Sequence, residues 1–362
     1  MPEPTYRIPP LPPEADFETV AVLKALAGAS RALAELKGRA AVIPNQGILI
    51  DTLALQEAKA SSEIENIVTT QDELFRADVL PEAGSLDAKE VARYRDTVRL
   101  GTERLRETGL ITNRTLIEMY RRLKNRQDGF RETPGTALRN DGSGEIVYVP
   151  PQDARRIVEH MSALEAFVNT PDASSLDPLI EMALIHHQFE SIHPFPDGNG
   201  RIGRILNVLY LTKTGLLDTP ILYLSRYINR NKVEYYGLLQ AVRDDGDWEA
   251  WILYILNAVR ETAGATLRIV EGMRDQMSDA KRRMRDELPS IYSQDLLNNM
   301  FRHPYTRIDV VQSDLRVSRP TASRYLDALV EHGFLKKVPA GRHRYYVNAG
   351  LVNLLADVSG EG

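Results

Sequence analysis

Residues 193–204 read HPFPDGNGRIGR, and helical patterns of apolar side chains flank this polar stretch on both sides. The pattern before it runs from Pro178 to Ser191. The pattern after it places four aliphatic side chains between positions 202 and 209 on one helical face. The stretch is therefore predicted to be a polar loop between two helices. Similar patterns predict helices at about 16–40, 51–66, 87–108, 113–126, 151–168, 230–243 and 247–263, with Asp51 as the N-cap of the second.

The loop has the parts of a phosphate site. Gly198 and Gly200 let backbone N–H groups approach an anion, and the N-terminus of the following helix adds further donors. Arg201 and Arg204 are three residues apart, so they share a helix face and can hold several phosphate oxygens. Asp197 supplies a carboxylate oxygen, the type of ligand that Mg²⁺ prefers.

The same loop contains a candidate general base. His193 has an ordinary pKa near neutrality, which suits proton abstraction at physiological pH. Asn199 has two roles open to it, donating to a phosphate or holding the loop. Phe195 is expected to pack inward as an anchor. This set suits attack of a nucleophile on a phosphate ester, with catalysis by positioning and electrostatic stabilisation.

The loop matches every fixed position of the motif HxFx(D/E)GNGRxxR, and residues from about 10 to 265 resemble the Fic family. The resemblance implies a mainly α fold, a helical Fic domain with a small β-hairpin flap. It also implies transfer of AMP from Mg²⁺-bound ATP to a Tyr, Thr or Ser hydroxyl of a protein target, and it suggests a homodimer. His193 would be the base and Asp197 the metal ligand. The implied ATP-binding residues in the loop are Asp197, Gly198, Asn199, Gly200, Arg201 and Arg204.

Two family branches differ in chemistry. One has Lys at the position of Gly200 and phosphorylates its target, so Gly200 argues against that branch. Another transfers phosphocholine, and the loop leaves that alternative open.

A hairpin is predicted before the loop. The turn cluster Asn140–Gly144 precedes the strand-like segment Ile146–Val149, and two prolines follow. A surface ribbon is one interpretation. The resemblance favours the family's flap, which pairs with a target peptide as an added strand. It would place Ile146, Val147 and Tyr148 near the nucleotide and the target.

The segment Tyr227–Tyr236 resembles the part of the family that closes over adenine. Tyr235 and Tyr236 are the candidates for that contact, although two helical aromatics also suit packing in the core. Arg243 is a further ATP candidate, about two turns along the same helix.

A candidate inhibitory motif lies near residue 65. Ser61, Glu65 and Asn66 fit the pattern (S/T)xxxE(G/N), and the first two share a helix face. A polar helix end is the alternative interpretation. The resemblance implies that the Glu65 carboxylate pairs with Arg204 and repels the γ-phosphate, which inhibits the enzyme. Some family members use the same glutamate to remove AMP, and the sequence leaves that open.

Residues 288–362 resemble a winged helix-turn-helix domain. A short helix at 306–315, a turn, a helix at 319–332 and two strands follow one another. Ser318 is the expected N-cap of the second helix. Residues expected to meet a DNA groove or phosphates are Arg319, Thr321, Ser323, Arg324, Lys336, Lys337, Arg342 and Arg344. A small domain that contacts only proteins is the alternative.

The composition is that of an ordinary globular protein, with 43% hydrophobic and 26% charged residues. Absence of cysteine excludes disulfides and thiolate sites and fits a reducing cytosol. No stretch is long and apolar enough for a bilayer, so we expect a cytoplasmic protein without membrane contact. The net charge of -5 argues against electrostatic nucleic-acid binding by the whole chain.

A zinc site is not expected at the cluster of His186, His187, Glu190 and His193, because the spacing lacks HExxH. Two functions remain in view. One is an autoinhibited adenylyltransferase, and the other is a DNA-binding regulator whose Fic domain senses nucleotide or modifies itself. The expected segments are an N-terminal helical part with the inhibitory helix, a catalytic domain, a helical connector and the winged helix, at 1–105, 106–264, 265–287 and 288–362.

Overall fold

The computed structural model describes residues 4–43, 45–80, 85–140, 142–171, 174–340 and 343–357. Most of these residues are helical, as predicted. The helices are α1 Val20–Ala40, α2 Gln46–Ile64, α3 Gln71–Val79, α4 Leu86–Thr108, α5 Asn113–Lys124, α6 Ala154–Asn169, α7 Pro178–Ile192, α8 Asn199–Lys213, α9 Ser225–Arg230, α10 Lys232–Asp245, α11 Trp248–Glu287, α12 Gln294–Arg302, α13 Ile308–Leu315, α14 Arg319–Glu331 and α15 Ala349–Asp357.

The strands form two small antiparallel sheets. The first is the predicted hairpin, in which β1 Leu138–Arg139 pairs with β2 Ile146–Tyr148. The second joins β3 Tyr305–Thr306, β5 His343–Val347 and β4 Lys336–Ala340 in the order β3-β5-β4. Helices and small antiparallel sheets together give the mainly α fold that the sequence predicted.

Local signals explain the helix ends around the polar loop. Asp177 caps α7, because its carboxylate accepts from the Leu179 N–H at 2.8 Å, and Pro178 occupies the first turn. The helix ends where His193 adopts a left-handed conformation, with φ 50° and ψ 58°. Gly198, also left-handed, stands at the start of α8.

The prediction that Asp51 caps the second helix is wrong. That helix begins at Gln46, where the Asn45 side chain accepts from the Gly47 N–H at 3.0 Å. Asp51 instead lies inside the helix, where it is buried and paired with Arg302 at 3.5 Å. Asn is also a favoured N-cap residue, and Asn45 starts the helix before the chain reaches Asp51.

The chain divides into two compact units. Unit 1 comprises residues 1–34, 60–66 and 96–263, and unit 2 comprises 35–59, 67–95 and 264–362. Unit 1 holds the polar loop, its two flanking helices and the first hairpin. Residues 265–287, expected as a separate connector, belong to α11, a single helix of 40 residues.

Unit 2 contains the helix-turn-helix and the hairpin that were predicted near the C-terminus. Ser318 caps α14 through the Thr321 N–H, as predicted, and Arg316 ends α13 in a left-handed conformation. β4 and β5 form the following hairpin. The predicted phosphate contact Arg342 lies outside the described residues, as does Asp141 in the flap turn. The DNA-binding role stays a prediction.

Among the residues that the structure describes, no helix combines the length and apolarity needed to cross a lipid bilayer.

Candidate active site

The candidate base is held at the end of α7. The His193 N–H donates to the Phe189 carbonyl at 2.9 Å, which closes the last turn of the helix. Burial, reinforced by the nearby Arg131 guanidinium, lowers the pKa of His193 to about 4. The imidazole is therefore neutral near pH 7, which is the form that accepts a proton.

The loop is held by Asn199. Its side-chain oxygen accepts from the Phe195 N–H and its nitrogen donates to the Phe195 carbonyl, both at 2.8 Å. The Phe195 ring is buried and stacks on Tyr120 with centroids 4.4 Å apart. Of the two roles open to Asn199, these hydrogen bonds support that of holding the loop. The Phe195 ring packs inward, as predicted.

The start of α8 is the predicted phosphate site, the anion cradle. No side chain caps this N-terminus within the described part of the chain. The backbone N–H groups of its first turn have no acceptor within the helix, and the helix dipole adds positive potential there. Gly198, with φ 76° and ψ 14°, adopts the left-handed conformation directly before this turn.

Asp197 lies at the exposed side of this loop. Its carboxylate is bound by Lys124 at 2.6 Å and lies 3.9 Å from Arg201. Partial burial opposes ionisation, but the Lys124 hydrogen bond and the two cationic charges hold the pKa of Asp197 below its usual value. The Asp197 side chain keeps 58% of its surface exposed beside these two cations.

The predicted inhibitory residues meet Arg204. The Arg204 Nε donates to Ser61 Oγ at 2.8 Å, and Nη2 donates to the Ser61 carbonyl at 2.8 Å. Nη2 also donates to Glu65 Oε1 at 2.9 Å. The Arg204 side chain is almost wholly buried, so this ion pair is shielded from solvent on one side.

The Glu65 carboxylate also lies against the anion cradle. A β-carbon on Gly200 would overlap Glu65 Oε1 and stand 2.7 Å from Arg204 Nη1. The chain therefore places one of its own anions over the first turn of α8, beside the guanidinium. Asn66 ends the motif with φ 60°, and Lys232 donates to its side-chain oxygen at 3.1 Å.

The three predicted flap residues separate into two classes. Ile146 and Val147 are exposed. Tyr148 is buried, and its hydroxyl donates to the Ser191 carbonyl at 2.6 Å. Arg243 stacks on the Tyr148 ring at 3.8 Å and donates to Ser191 Oγ at 3.2 Å. Both side chains thus support the end of α7 from within.

The two candidate adenine contacts, Tyr235 and Tyr236, also differ in burial. Tyr235 is buried and its hydroxyl lies 2.9 Å from His186 Nε2, so it packs in the core. Tyr236 is exposed over 46% of its surface. His186 bonds on its other side to Asn207 at 3.1 Å, and burial lowers its pKa to about 3. These contacts make His186 a core histidine.

Sequence reasoning missed two residues near the loop, Lys124 and Arg131, and considered Glu190 only within the rejected zinc cluster. Lys124 pairs with Asp197, Arg131 binds the backbone around His193, and Glu190 lies buried one turn before the base. Burial raises the pKa of Glu190 to about 7. Lys124 belongs to a basic last helical turn, an ordinary surface pattern, so no local signal separated it from a solvated cation.

Family models match most of the chain. The Fic/DOC family N-terminal model matches residues 23–103, and the Fic/DOC family model matches residues 110–211. Together they cover just over half of the chain, and the second includes the whole loop. The chain belongs to the Fic family. A third model, described as the C-terminal domain of SoFic-like protein adenylyltransferases, matches residues 276–351.

Curated relatives of this Fic protein carry adenylyltransferase names. A probable protein adenylyltransferase of Aquifex aeolicus is 28% identical over 198 residues, which are 53% of this chain and 58% of the relative. The protein adenylyltransferase Fic of Drosophila virilis is 28% identical over 152 residues, 42% of this chain and 29% of the relative. The chain thus spans little more than half of the first relative and under a third of the second.

Solved structures share the fold. A Fic family protein from Desulfovibrio desulfuricans has a TM-score of 0.57 at 20% identity, with 94% of this chain and 98% of that chain covered. Fic-1 from C. elegans has a TM-score of 0.53 at 19% identity, with 68% and 73% covered.

Proposed function

We propose that this Fic protein is an adenylyltransferase that transfers AMP from Mg²⁺-bound ATP to a hydroxyl side chain of a protein. The observation that carries the proposal is the loop itself. A half-buried, neutral His193 and the anion cradle of α8 stand at the two ends of one short segment. The names of the curated relatives agree with this chemistry.

The residues present fit ATP and its metal. The Glu65 carboxylate over Gly200 and Arg204 stands in for a phosphate, since it is an anion held by a guanidinium at a helix N-terminus. The exposed, ionised Asp197 suits Mg²⁺, which is commonly held by one or two carboxylates together with substrate phosphates. When bound, Mg²⁺ would neutralise phosphate charge.

The chain's own residues divide the reaction between them. His193 accepts the proton of the attacking hydroxyl, whose oxygen forms a bond to the α-phosphorus while the bond to pyrophosphate breaks. The N–H groups at 198–200 and the guanidiniums of Arg201 and Arg204 balance the charge that grows on the phosphate oxygens. Exposed Ile146 and Val147 offer a strand edge to the target. The target is a Tyr, Thr or Ser hydroxyl.

Autoinhibition follows from the same contacts. While Glu65 holds Arg204, the guanidinium is unavailable to the γ-phosphate, and two anions would share one space. Electrostatic repulsion then weakens ATP binding or displaces the triphosphate. Removal of AMP from a modified target by Glu65 is a further activity that the resemblance suggests.

The test compares wild type, Glu65→Gly and His193→Ala, each incubated with Mg-ATP alone and with a lysate as target. Intact and peptide masses report the adduct. We expect an AMP-sized adduct on a hydroxyl, strongest in Glu65→Gly and absent in His193→Ala. A phosphate-sized adduct, or no adduct in any variant, would refute AMP transfer. Equal adducts in wild type and Glu65→Gly would refute autoinhibition alone. Transfer of phosphocholine is tested by the same masses with CDP-choline.

A DNA-binding regulator is the second candidate. Exposed Arg319 and Arg324 on α14, with exposed Lys336 on β4, favour it. Lys337, by contrast, is paired with Asp327 at 2.8 Å. The full chain and its Arg319→Ala/Arg324→Ala variant should differ in salt-dependent retention of duplex DNA. Equally weak retention of the full chain and of the variant would refute this candidate. Light scattering measures the homodimer that the resemblance suggests.

A further inference from the structure

The end of α7 has an unusual set of backbone partners. The last carbonyls of a helix lack N–H donors within the helix, and the turn that follows adds further carbonyls without such donors. Here four consecutive carbonyls, 191–194, all receive hydrogen bonds. The Tyr148 hydroxyl donates to residue 191 at 2.6 Å, and the other three bonds come from Arg131.

Arg131 binds three of these carbonyls. Its Nη2 donates to Ile192 O at 3.3 Å and its Nε to His193 O at 2.8 Å. Its backbone N–H donates to Pro194 O at 2.8 Å. Nη2 also donates to the Pro151 carbonyl, just after the flap. One residue thus spans the whole backbone turn that carries the base.

The guanidinium is held by dipoles and not by an anion. Within the described residues, Arg131 forms no ion pair with a carboxylate, although only 4% of it is exposed. Burial lowers its pKa to about 10, so it remains charged at pH 7. A cation at a helix C-terminus interacts favourably with the helix dipole. Its planar fork also suits several carbonyls at once, which an ammonium group matches poorly.

We propose that Arg131 is a positioning residue that, with Tyr148 as a second arm, holds His193 in its left-handed backbone conformation for proton abstraction. The inference rests on the proposed function, because it assigns a role in that reaction. The left-handed region is disfavoured for a non-glycine residue, so the conformation needs support from outside the turn. Arg131 and Tyr148 provide that support at the carbonyls on both sides of His193.

Arg131 and Tyr148, together called the clamp, also connect His193 to the flap. Tyr148 belongs to β2, directly after the exposed Ile146 and Val147. The same ring is stacked on Arg243, which binds the Ser191 side chain. A target strand that pairs with β2 would therefore be held at a fixed position relative to His193. The link is the buried Tyr148, which belongs to β2 and donates to the Ser191 carbonyl.

Kinetics in the Glu65→Gly background test the clamp. Arg131→Lys keeps the charge but loses the fork, and Tyr148→Phe removes only one hydroxyl. We expect Arg131→Lys to lower kcat for AMP incorporation about 10–100-fold, with KM for Mg-ATP within about twofold. Tyr148→Phe should show a smaller fall of the same kind. Arg121→Lys is the matched control, because the exposed Arg121 Nε also donates to a backbone carbonyl, that of Asp128 at 3.0 Å.

A histidine titration by NMR gives a readout that does not need activity. The His193 signal is assigned by its loss in His193→Ala. Replacing Arg131 by Gln removes a cation that lowers the pKa of His193, so that pKa should rise toward 6.5, while Arg121→Gln leaves it unchanged. If Arg131→Gln does not fold, the titration is made on Arg131→Lys and Tyr148→Phe, in which the His193 signal should shift.

The outcomes separate the two proposals. If Glu65→Gly transfers no AMP, the proposed function fails, and the titration still decides whether Arg131 and Tyr148 govern His193. If Glu65→Gly is active while Arg131→Lys and Tyr148→Phe keep kcat within twofold and leave the His193 signal in place, the clamp is refuted. A fall in kcat matched by Arg121→Lys would also refute it.

Discussion

The Glu65 carboxylate occupies the space that a β-carbon on Gly200 would need. Residue 200 belongs to the first turn of α8, and Glu65 comes from just beyond the end of α2, so two distant parts of the chain share one small volume. The glycine thus has a reason to be small apart from any approach of phosphate to the helix N-terminus. Under the proposed function, the same position would serve the substrate anion and the inhibitory anion in turn.

Gly200→Ala should expel the glutamate. The atoms nearest an added β-carbon are the ends of the Glu65 and Arg204 side chains, which can move, so the main cost is the loss of their ion pair. We expect a loss of thermal stability and faster hydrogen exchange at residues 60–66. In the Glu65→Gly background the same substitution should cost less, because one of the two overlapping groups is gone. An equal cost in both backgrounds would place Glu65 elsewhere in solution.

A second contact should hold the inhibitory motif. Asn229 Nδ2 donates to Glu63 Oε2 at 3.0 Å, on the segment implied to cover adenine. Breaking a hydrogen bond of about 1 kcal/mol shifts the equilibrium toward released Glu65, so Glu63→Ala should raise AMP transfer about two- to tenfold. Asn229→Ala should do the same, and the double variant should gain no more than either alone. Additive gains would show that the two residues act separately.

Glu190 should make stability depend on pH. Its pKa rises from 4.5 in an exposed setting to about 7 in the fold. Between these values only the unfolded chain loses the proton, so the free energy of unfolding falls as pH rises, by on the order of 3 kcal/mol in total. Above about pH 7 the Glu190 carboxyl is ionised in both the folded and the unfolded state, so its effect on the free energy of unfolding no longer changes with pH.

The melting temperature of Glu190→Gln should therefore equal that of wild type near pH 4.5. At higher pH it should exceed the wild-type value by a margin that grows up to about pH 7. The histidines with lowered pKa titrate in both proteins, so the difference between the two isolates Glu190. A constant difference across the pH range would contradict the buried, protonated carboxyl.

Asn199→Ala should dismantle the loop. It removes two buried hydrogen bonds to the Phe195 backbone and leaves both backbone groups without those partners. We expect a loss of about 1–3 kcal/mol per orphaned group and abolished AMP transfer, measured by denaturation and adduct mass. Retained transfer with weakened ATP affinity would instead favour the alternative role, direct donation to a phosphate.

The sequence alone determined the loop, its flanking helices, the hairpin before it and the helix-turn-helix near the C-terminus. These features depend on residues close in the chain, because caps, turns and apolar periodicity act over a few positions. The pairing of Glu65 with Arg204 was also predicted, although only through the family resemblance. The pattern at residues 61–66 by itself matched any polar helix end.

Tertiary structure decided which polar groups are buried together. Asp51 looked like a cap but lies inside α2, Tyr148 and Tyr235 turned inward, and Arg131 reached the carbonyls beside His193. None of these outcomes is encoded in spacing along the chain. They follow from long-range packing, which sets desolvation and hydrogen-bond partners, and these in turn set the pKa of each buried group.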